Sequence, residues 1–134
     1  MPLTYAWRGD FDNDDVNALR AEAFGHAVLS EDWSAQVRRH SLGWVCAHEG
    51  DGRRLAGFVN VAWDGGVHAF VLDTMVAVDL RGRGIGAGPV AHAVTHARAA
   101  GCEWLHVDFE ERLRGFCLDA CGFAPTDVGL IALR

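Results

Sequence analysis

At 134 residues, with 50% hydrophobic and 22% charged side chains, the chain has the size and composition of a single packed domain, residues 1–134. A formal net charge of -6 argues against general nucleic-acid binding, which wants a basic face, and no apolar run approaches the roughly 20 residues needed to cross a bilayer. Every basic side chain other than histidine is arginine, which excludes a Walker-type phosphate loop and a lysine Schiff base.

The opening residues Met1-Pro2-Leu3-Thr4-Tyr5 lack the basic start and apolar core of a signal peptide. Cys46, Cys102, Cys117 and Cys121 show no C-x-x-C spacing and read as reduced thiols, so the expectation is a cytoplasmic protein without a metal centre. In chain order, residues 4–7 read as a strand. Residues 12–24 form a helix with Val16, Leu19, Ala23 and Phe24 on one face, and residues 31–40 form a weaker one. Three strand-like runs follow, at 43–48, 54–63 and 68–78. Asp/Gly turns separate them, which predicts antiparallel hairpins. Residues 85–100 carry a helical pattern that buries Val90, Ala93, Val94 and Ala97 and stops at Gly101. A strand at 104–108, a helix at 112–120 and a last strand at 128–133 complete the chain. The third hairpin strand, the helix and the strand at 104–108 make one βαβ unit, so those two strands should run parallel. The expected architecture is α/β: a mixed sheet, an antiparallel meander plus one βαβ unit, with helices on both faces. A ligand belongs at the carboxyl end of the parallel strands.

Between that third strand and the helix lies Arg81-Gly82-Arg83-Gly84-Ile85-Gly86. A glycine turn opening a helix gathers free backbone N–H groups at the positive end of the helix dipole, which makes a seat for phosphate. Glycine lets the ligand reach the backbone, and two arginines add charge. Gly82, Gly84, Gly86 and Gly88 exceed what a turn needs. Gly82 to Ala87 also satisfies the dinucleotide pattern G-x-G-x-x-A. The position after antiparallel hairpins, and the short chain remaining after Asp108, oppose that reading.

Val76-x-Val78-x-x-Arg81-x-x-Gly84-x-Gly86 resembles the acetyl-coenzyme A signature of the GNAT superfamily of N-acetyltransferases. Downstream, Glu110-x-x-Leu113-x-x-Phe116-Cys117 before Cys121-Gly122-Phe123 is similar to the family's Asn-x-x-Ala-x-x-Phe-Tyr segment and its Gly-Phe. Glu110 stands where the family often has Asn and Cys117 where it often has Tyr, with one extra residue before Gly122. The resemblance implies an acetyl-coenzyme A-dependent N-acetyltransferase. Its acceptor would be a small-molecule or peptide amine, with no nucleic-acid or membrane partner; homodimers are frequent in the family. A non-catalytic acyl-coenzyme A-binding or interaction module with the same fold is the alternative.

On that resemblance Arg81, Gly82, Arg83, Gly84, Ile85, Gly86 and Ala87 would hold the pyrophosphate, and the edge of Val76, Ala77 and Val78 would pair with pantetheine. The attacking amine must be neutral, so a base takes its proton. Asp73, Asp108 and Glu110 are the candidates, Glu110 slightly ahead; each is also readable as a solvated or capping carboxylate. Cys117 is a candidate acid or a small core residue. The acidic run at 10–15 lacks the glycine and glutamate of a calcium loop and reads as helix capping. His92 and His96 lack the metalloprotease glutamate and read as a solvated helix face. Trp33 is the tryptophan expected nearest a substrate pocket.

Overall fold

The computed structural model describes residues 3–52, 54–81 and 86–134, so the expectations placed on Gly82, Arg83, Gly84 and Ile85 fall outside the described residues. The order is β1 (Leu3–Trp7), α1 (Asn13–Phe24), α2 (Trp33–His40), β2 (Ser41–Glu49), β3 (Leu55–Trp63), β4 (His68–Val76), α3 (Ala87–Ala99) and β5 (Trp104–His106). The sheet runs β1-β2-β3-β4-β5. Its first four strands form an antiparallel meander, and β5 lies parallel to β4 as the βαβ reading requires.

Strand alternation sends two separate sets of apolar side chains to the two faces. Trp44, Cys46, Phe58 and Met75 meet Val16 and Leu19 of α1 and Trp33 and Val37 of α2. Val45, Val59, Val61, Ala69 and Val71 meet Val90, Ala93 and Ala97 of α3. Gly25, at φ +69°, stops α1 in the left-handed conformation, its N–H donating to the Ala21 carbonyl at 2.9 Å. The Asp32 carboxylate caps α2 by accepting from the Ala35 N–H at 3.1 Å. At the start of α3, Gly88 lies against the Tyr5 hydroxyl, where a Cβ has no room. The helix docks on β1 through stacked rings, with Trp7 and His96 centroids 4.6 Å apart.

Four expectations are corrected. The third meander strand stops at Val76, not residue 78: Val78–Leu80 coil into a 3₁₀ turn, with the Leu80 N–H bonded to the Ala77 carbonyl at 2.9 Å. Arg54 clamps that turn by pairing with both Glu49 and Asp79. The strand expected at 104–108 is only Trp104–His106. The helix expected at 112–120 is a 3₁₀ turn, Glu111–Leu113, followed by a π-helical turn, Gly115–Ala120. A glycine in the middle of that segment weakens an α-helix, and the wide turn closes through Cys121 N–H to Phe116 carbonyl at 3.0 Å. The strand expected at 128–133 does not form. The alternating apolar pattern is there, but no neighbouring strand supplies a hydrogen-bond ladder, and Leu133 is 95% exposed.

Candidate active site

β4 and β5 pair only from His68 to Phe70, opposite Trp104 to His106; beyond that point β5 has ended and β4 continues alone. A cleft of about 600 Å³ occupies the gap. One wall is β4 (Val71, Leu72, Asp73, Thr74, Val76). The other is the segment after β5 (Val107, Asp108, Phe109) with Arg112, Leu113, Phe116 and Cys117. Gly86, Ala87 and Val90 of the α3 start form the floor, and Ala23 and Phe24 at the end of α1 form the rim. A second hollow, about 450 Å³ beside Asp15, Glu22 and Arg54, adjoins neither the open strand nor the α3 start.

The backbone of the open strand is oriented by its register. The Ala77 N–H donates to the Ala56 carbonyl at 2.9 Å, and Gly57 opposes Val76. In an antiparallel ladder hydrogen-bonded and non-bonded pairs alternate, so the Val76 N–H and C=O point away from β3, toward the cleft. The Ala77 N–H is thereby committed to the sheet, and Val78 lies in the 3₁₀ turn, so of residues 76–78 it is Val76 whose edge faces the gap. At the α3 start no described side chain caps the helix, and no acid occupies its first turn. That leaves the dipole's positive end for an external anion. A Cβ at Gly86 would stand 3.0 Å from the Phe116 ring, so glycine there keeps the floor open. Arg81 lines the cleft while its guanidinium donates to the Ala23 carbonyl at 2.7 Å, which ties the loop entrance to the end of α1.

The candidate carboxylates separate. Asp73 sits in a β-bulge: β3 and β4 shift register by one residue between Phe58 and Asn60, and Asp73 takes φ +54°. It is half-buried, lines the cleft and accepts from the Asn60 Nδ2 at 3.4 Å. Asp108 lines the opposite wall and is exposed. Glu110 is exposed, accepts from the Arg112 Nε at 2.8 Å and is not among the residues lining the cleft. Cys117 faces the cleft at 4% exposure, and burial pushes its thiol pKa upward, so the thiol stays protonated near neutrality. Cys46 and Cys121 are likewise pushed up by burial, to about 12 and about 11. Trp33 packs in the core beside Phe58, and its indole N–H donates to Asn17 at 3.0 Å; it does not line the cleft.

Sequence reading missed Asn60, Ser41 and Thr74. Asn60 carried a signal, being the lone polar residue inside the run Leu55–Trp63. Ser41 carried none. Among the described residues no group of three or more His, Cys, Asp or Glu is placed to hold a metal ion, and no helix is long and apolar enough to cross a membrane.

Known proteins share this fold. A probable acetyltransferase from meticillin-resistant Staphylococcus aureus superposes with a TM-score of 0.78 at 20% identity over 99% of both chains. Glucosamine-6-phosphate N-acetyltransferase from Arabidopsis thaliana gives 0.72 at 15% identity over 96% of this chain and 97% of its own. AAC(6')-Iy, in complex with the bisubstrate analog CoA-S-monomethyl-acetylneamine, gives 0.74 at 17% identity over 100% and 99%. At such identities the likeness is one of fold. No curated protein matches the sequence. The model of the acetyltransferase (GNAT) family matches residues 6–123, nearly the whole chain and all of the cleft's described walls, and the chain therefore belongs to the GNAT acetyltransferase family.

Proposed function

We propose that this chain transfers an acetyl group from acetyl-coenzyme A to a neutral amine on a small molecule or peptide, by direct attack of the amine on the thioester. The observation that carries the reading is the parting of β4 from β5, which turns the Val76 backbone edge into a cleft that runs to the start of α3. The kinship in fold with AAC(6')-Iy, seen with a coenzyme A bisubstrate analog, supports the same use of the cleft.

The residues present fit the cosubstrate. An extended pantetheine arm carries amide groups that pair with a free strand edge, and the Val76 carbonyl offers an acceptor to one of their N–H groups there, which leaves the Val76 N–H for the thioester. The α3 start, with Gly86 and Ala87, suits the diphosphate, and Arg81 stands at its entrance. Gly82, Arg83, Gly84 and Ile85 are assigned to the same seat on their sequence. Bound, acetyl-coenzyme A supplies an activated acetyl thioester. The chain then orients and stabilises. The Val76 N–H is placed to donate to the thioester oxygen as negative charge builds on it, a contact worth about 3 kcal/mol when such a donor is preorganised. Asp73 accepts the proton that the amine sheds as its nitrogen bonds to the acetyl carbon and the carbon–sulfur bond breaks, and coenzyme A leaves as a thiolate that takes its proton from water. Asp108, across the cleft, pairs with a positive group of the acceptor other than the attacking, neutral nitrogen. Cys117 fills space beside the thioester end and is not needed as an acid. Alignment of amine and thioester between the two walls supplies much of the remaining rate.

The test is thiol release from acetyl-coenzyme A across a panel of aminoglycosides, amino sugars, polyamines, arylalkylamines and peptide N-termini, with calorimetric binding of acetyl-coenzyme A in parallel. Acetylation of at least one class is expected. Tight binding with no turnover on any class would instead mark a non-catalytic acyl-coenzyme A-binding module.

A further inference from the structure

Asn60 is one of two polar side chains buried among the described residues, at 2% exposure in the middle of an apolar strand. A buried amide costs stability unless it is hydrogen-bonded, so its partners explain its presence. They lie on the strands to either side. The Ser41 hydroxyl on β2 donates to Asn60 Oδ1, and Asn60 Nδ2 donates to Asp73 Oδ2 on β4. The orientation of the amide is fixed by chemistry: an ionised carboxylate only accepts, so the NH2 side must face Asp73 and the oxygen must face the serine.

The register shows what this row achieves. Asn60 pairs with Leu72, so those two side chains share a face of the sheet. By strict alternation Asp73 would face the other way, toward α3, with Val71. The one-residue bulge and the φ of +54° turn it back toward Asn60. A non-glycine residue in that conformation persists only when its surroundings hold it there, and the Asn60 amide is the described side chain that does so from below. Ser41 in turn sits at the junction of α2 and β2, where its backbone N–H closes α2 on the Val37 carbonyl.

We infer that Asn60, itself oriented by Ser41, is a positioning residue that aims the Asp73 carboxylate into the cleft for proton transfer. The inference rests on the proposed acetyl transfer with Asp73 as base. It adds to that reading a dependence of the chemical step on two residues that do not touch either substrate.

The experiment compares wild type, Asn60→Leu, Ser41→Ala, Ser41→Thr and Asp73→Asn, and the doubles Asn60→Leu/Asp73→Asn and Ser41→Ala/Asp73→Asn, on the best amine from the panel. Misaiming a reacting group costs on the order of tenfold to a hundredfold in kcat, and that loss is expected for Asn60→Leu, with a smaller loss for Ser41→Ala and recovery in Ser41→Thr. The KM for acetyl-coenzyme A should stay within about twofold, because the lost interaction serves the transition state and not cosubstrate binding. The deciding readout is the cycle: once Asp73 is asparagine, Asn60→Leu and Ser41→Ala should each change kcat by less than about twofold. Should Asn60→Leu fail to fold, the Ser41→Ala, Ser41→Thr and Ser41→Ala/Asp73→Asn comparison carries the test alone, since Ser41 lies only half-buried. Losses that multiply in the doubles would show that Asn60 and Ser41 merely hold the sheet, and would overturn the inference while leaving acetyl transfer standing. A wild type inactive on every amine would fail the proposed function itself and take this inference with it.

Discussion

Asp73 and Glu110 show how far a residue's chemistry depends on where its carboxylate ends up. Both are acids near the expected parallel strands, and the sequence reading puts Glu110 slightly ahead. The fold pairs Glu110 with Arg112 on the exposed surface and turns Asp73 into the cleft through a bulge. Asp73→Asn should therefore lower kcat by about a hundredfold, the ordinary worth of a general base, while Glu110→Gln changes it by less than about twofold. Steady-state kinetics on a single amine separates the two, and equal losses would return Glu110 to the site. Cys117 poses the complementary case. Its thiol occupies the place where the resembled family often has a tyrosine, is nearly enclosed, and is pushed by burial away from ionisation. Cys117→Ala is expected to keep kcat within about twofold and to cost ~1 kcal/mol of stability as a small cavity. Loss of turnover in a folded variant that still binds acetyl-coenzyme A would make the thiol an acid after all.

At the scale of elements, α3 does two jobs: it closes one core and it presents its start to the cleft. Its docking on β1 uses Tyr5 beside His92 and Trp7 stacked on His96, with the two imidazole centroids 4.9 Å apart. Burial first, and charge on His96 second, hold the His92 imidazole below its ordinary pKa. As pH drops below about 6.5 the unfolded chain takes up this proton before the folded one does, so stability falls with falling pH until the folded group also titrates. Above that range the penalty is absent. Thermal unfolding followed from pH 8 to pH 5 should show Tm declining on the acid side, with a shallower decline in His92→Gln. An unchanged slope would assign the acid sensitivity to other groups. The segment after β5 shows the opposite balance. A glycine at 115 and tight 3₁₀ and π turns replace the expected helix, and this irregular wall carries Phe116 and Cys117 into the cleft.

For the whole molecule, one sheet serves two cores. Phe58 and Met75 point to the α1/α2 side, while Val59, Val61 and Val71 point to the α3 side. Neither layer can be lost while the shared strands keep their buried faces, so the two cores should unfold together. In a variant with Trp7, Trp63 and Trp104 replaced by Phe, fluorescence of Trp33 and Trp44, both inside the α1/α2 core, reports one layer, and far-UV circular dichroism reports the whole chain. Their urea transitions are expected to coincide; separated midpoints would mean that the layers are independent units. The sheet's far edge is thin by comparison. β5 has three residues with Trp104 65% exposed, and residues 121–134 carry no helix or strand.

Local pattern was enough for the meander, for its turns and for the parallel βαβ unit. Those features follow from periodicity and turn chemistry within short windows, whereas Val76, Gly86 and Ala87 were named through the resemblance to the GNAT signature. Tertiary structure decided what depends on neighbours distant in sequence. The parting of β4 from β5 is set by where β5 runs out, and the 3₁₀ turn after β4 by a clamp between Arg54, Glu49 and Asp79. The strand expected at 128–133 was lost for want of a partner edge. The aim of Asp73 belongs with these, because a single extra residue in β4 reverses the strand alternation at that point, and among the described side chains Asn60, held by Ser41, sets the direction in which its carboxylate points.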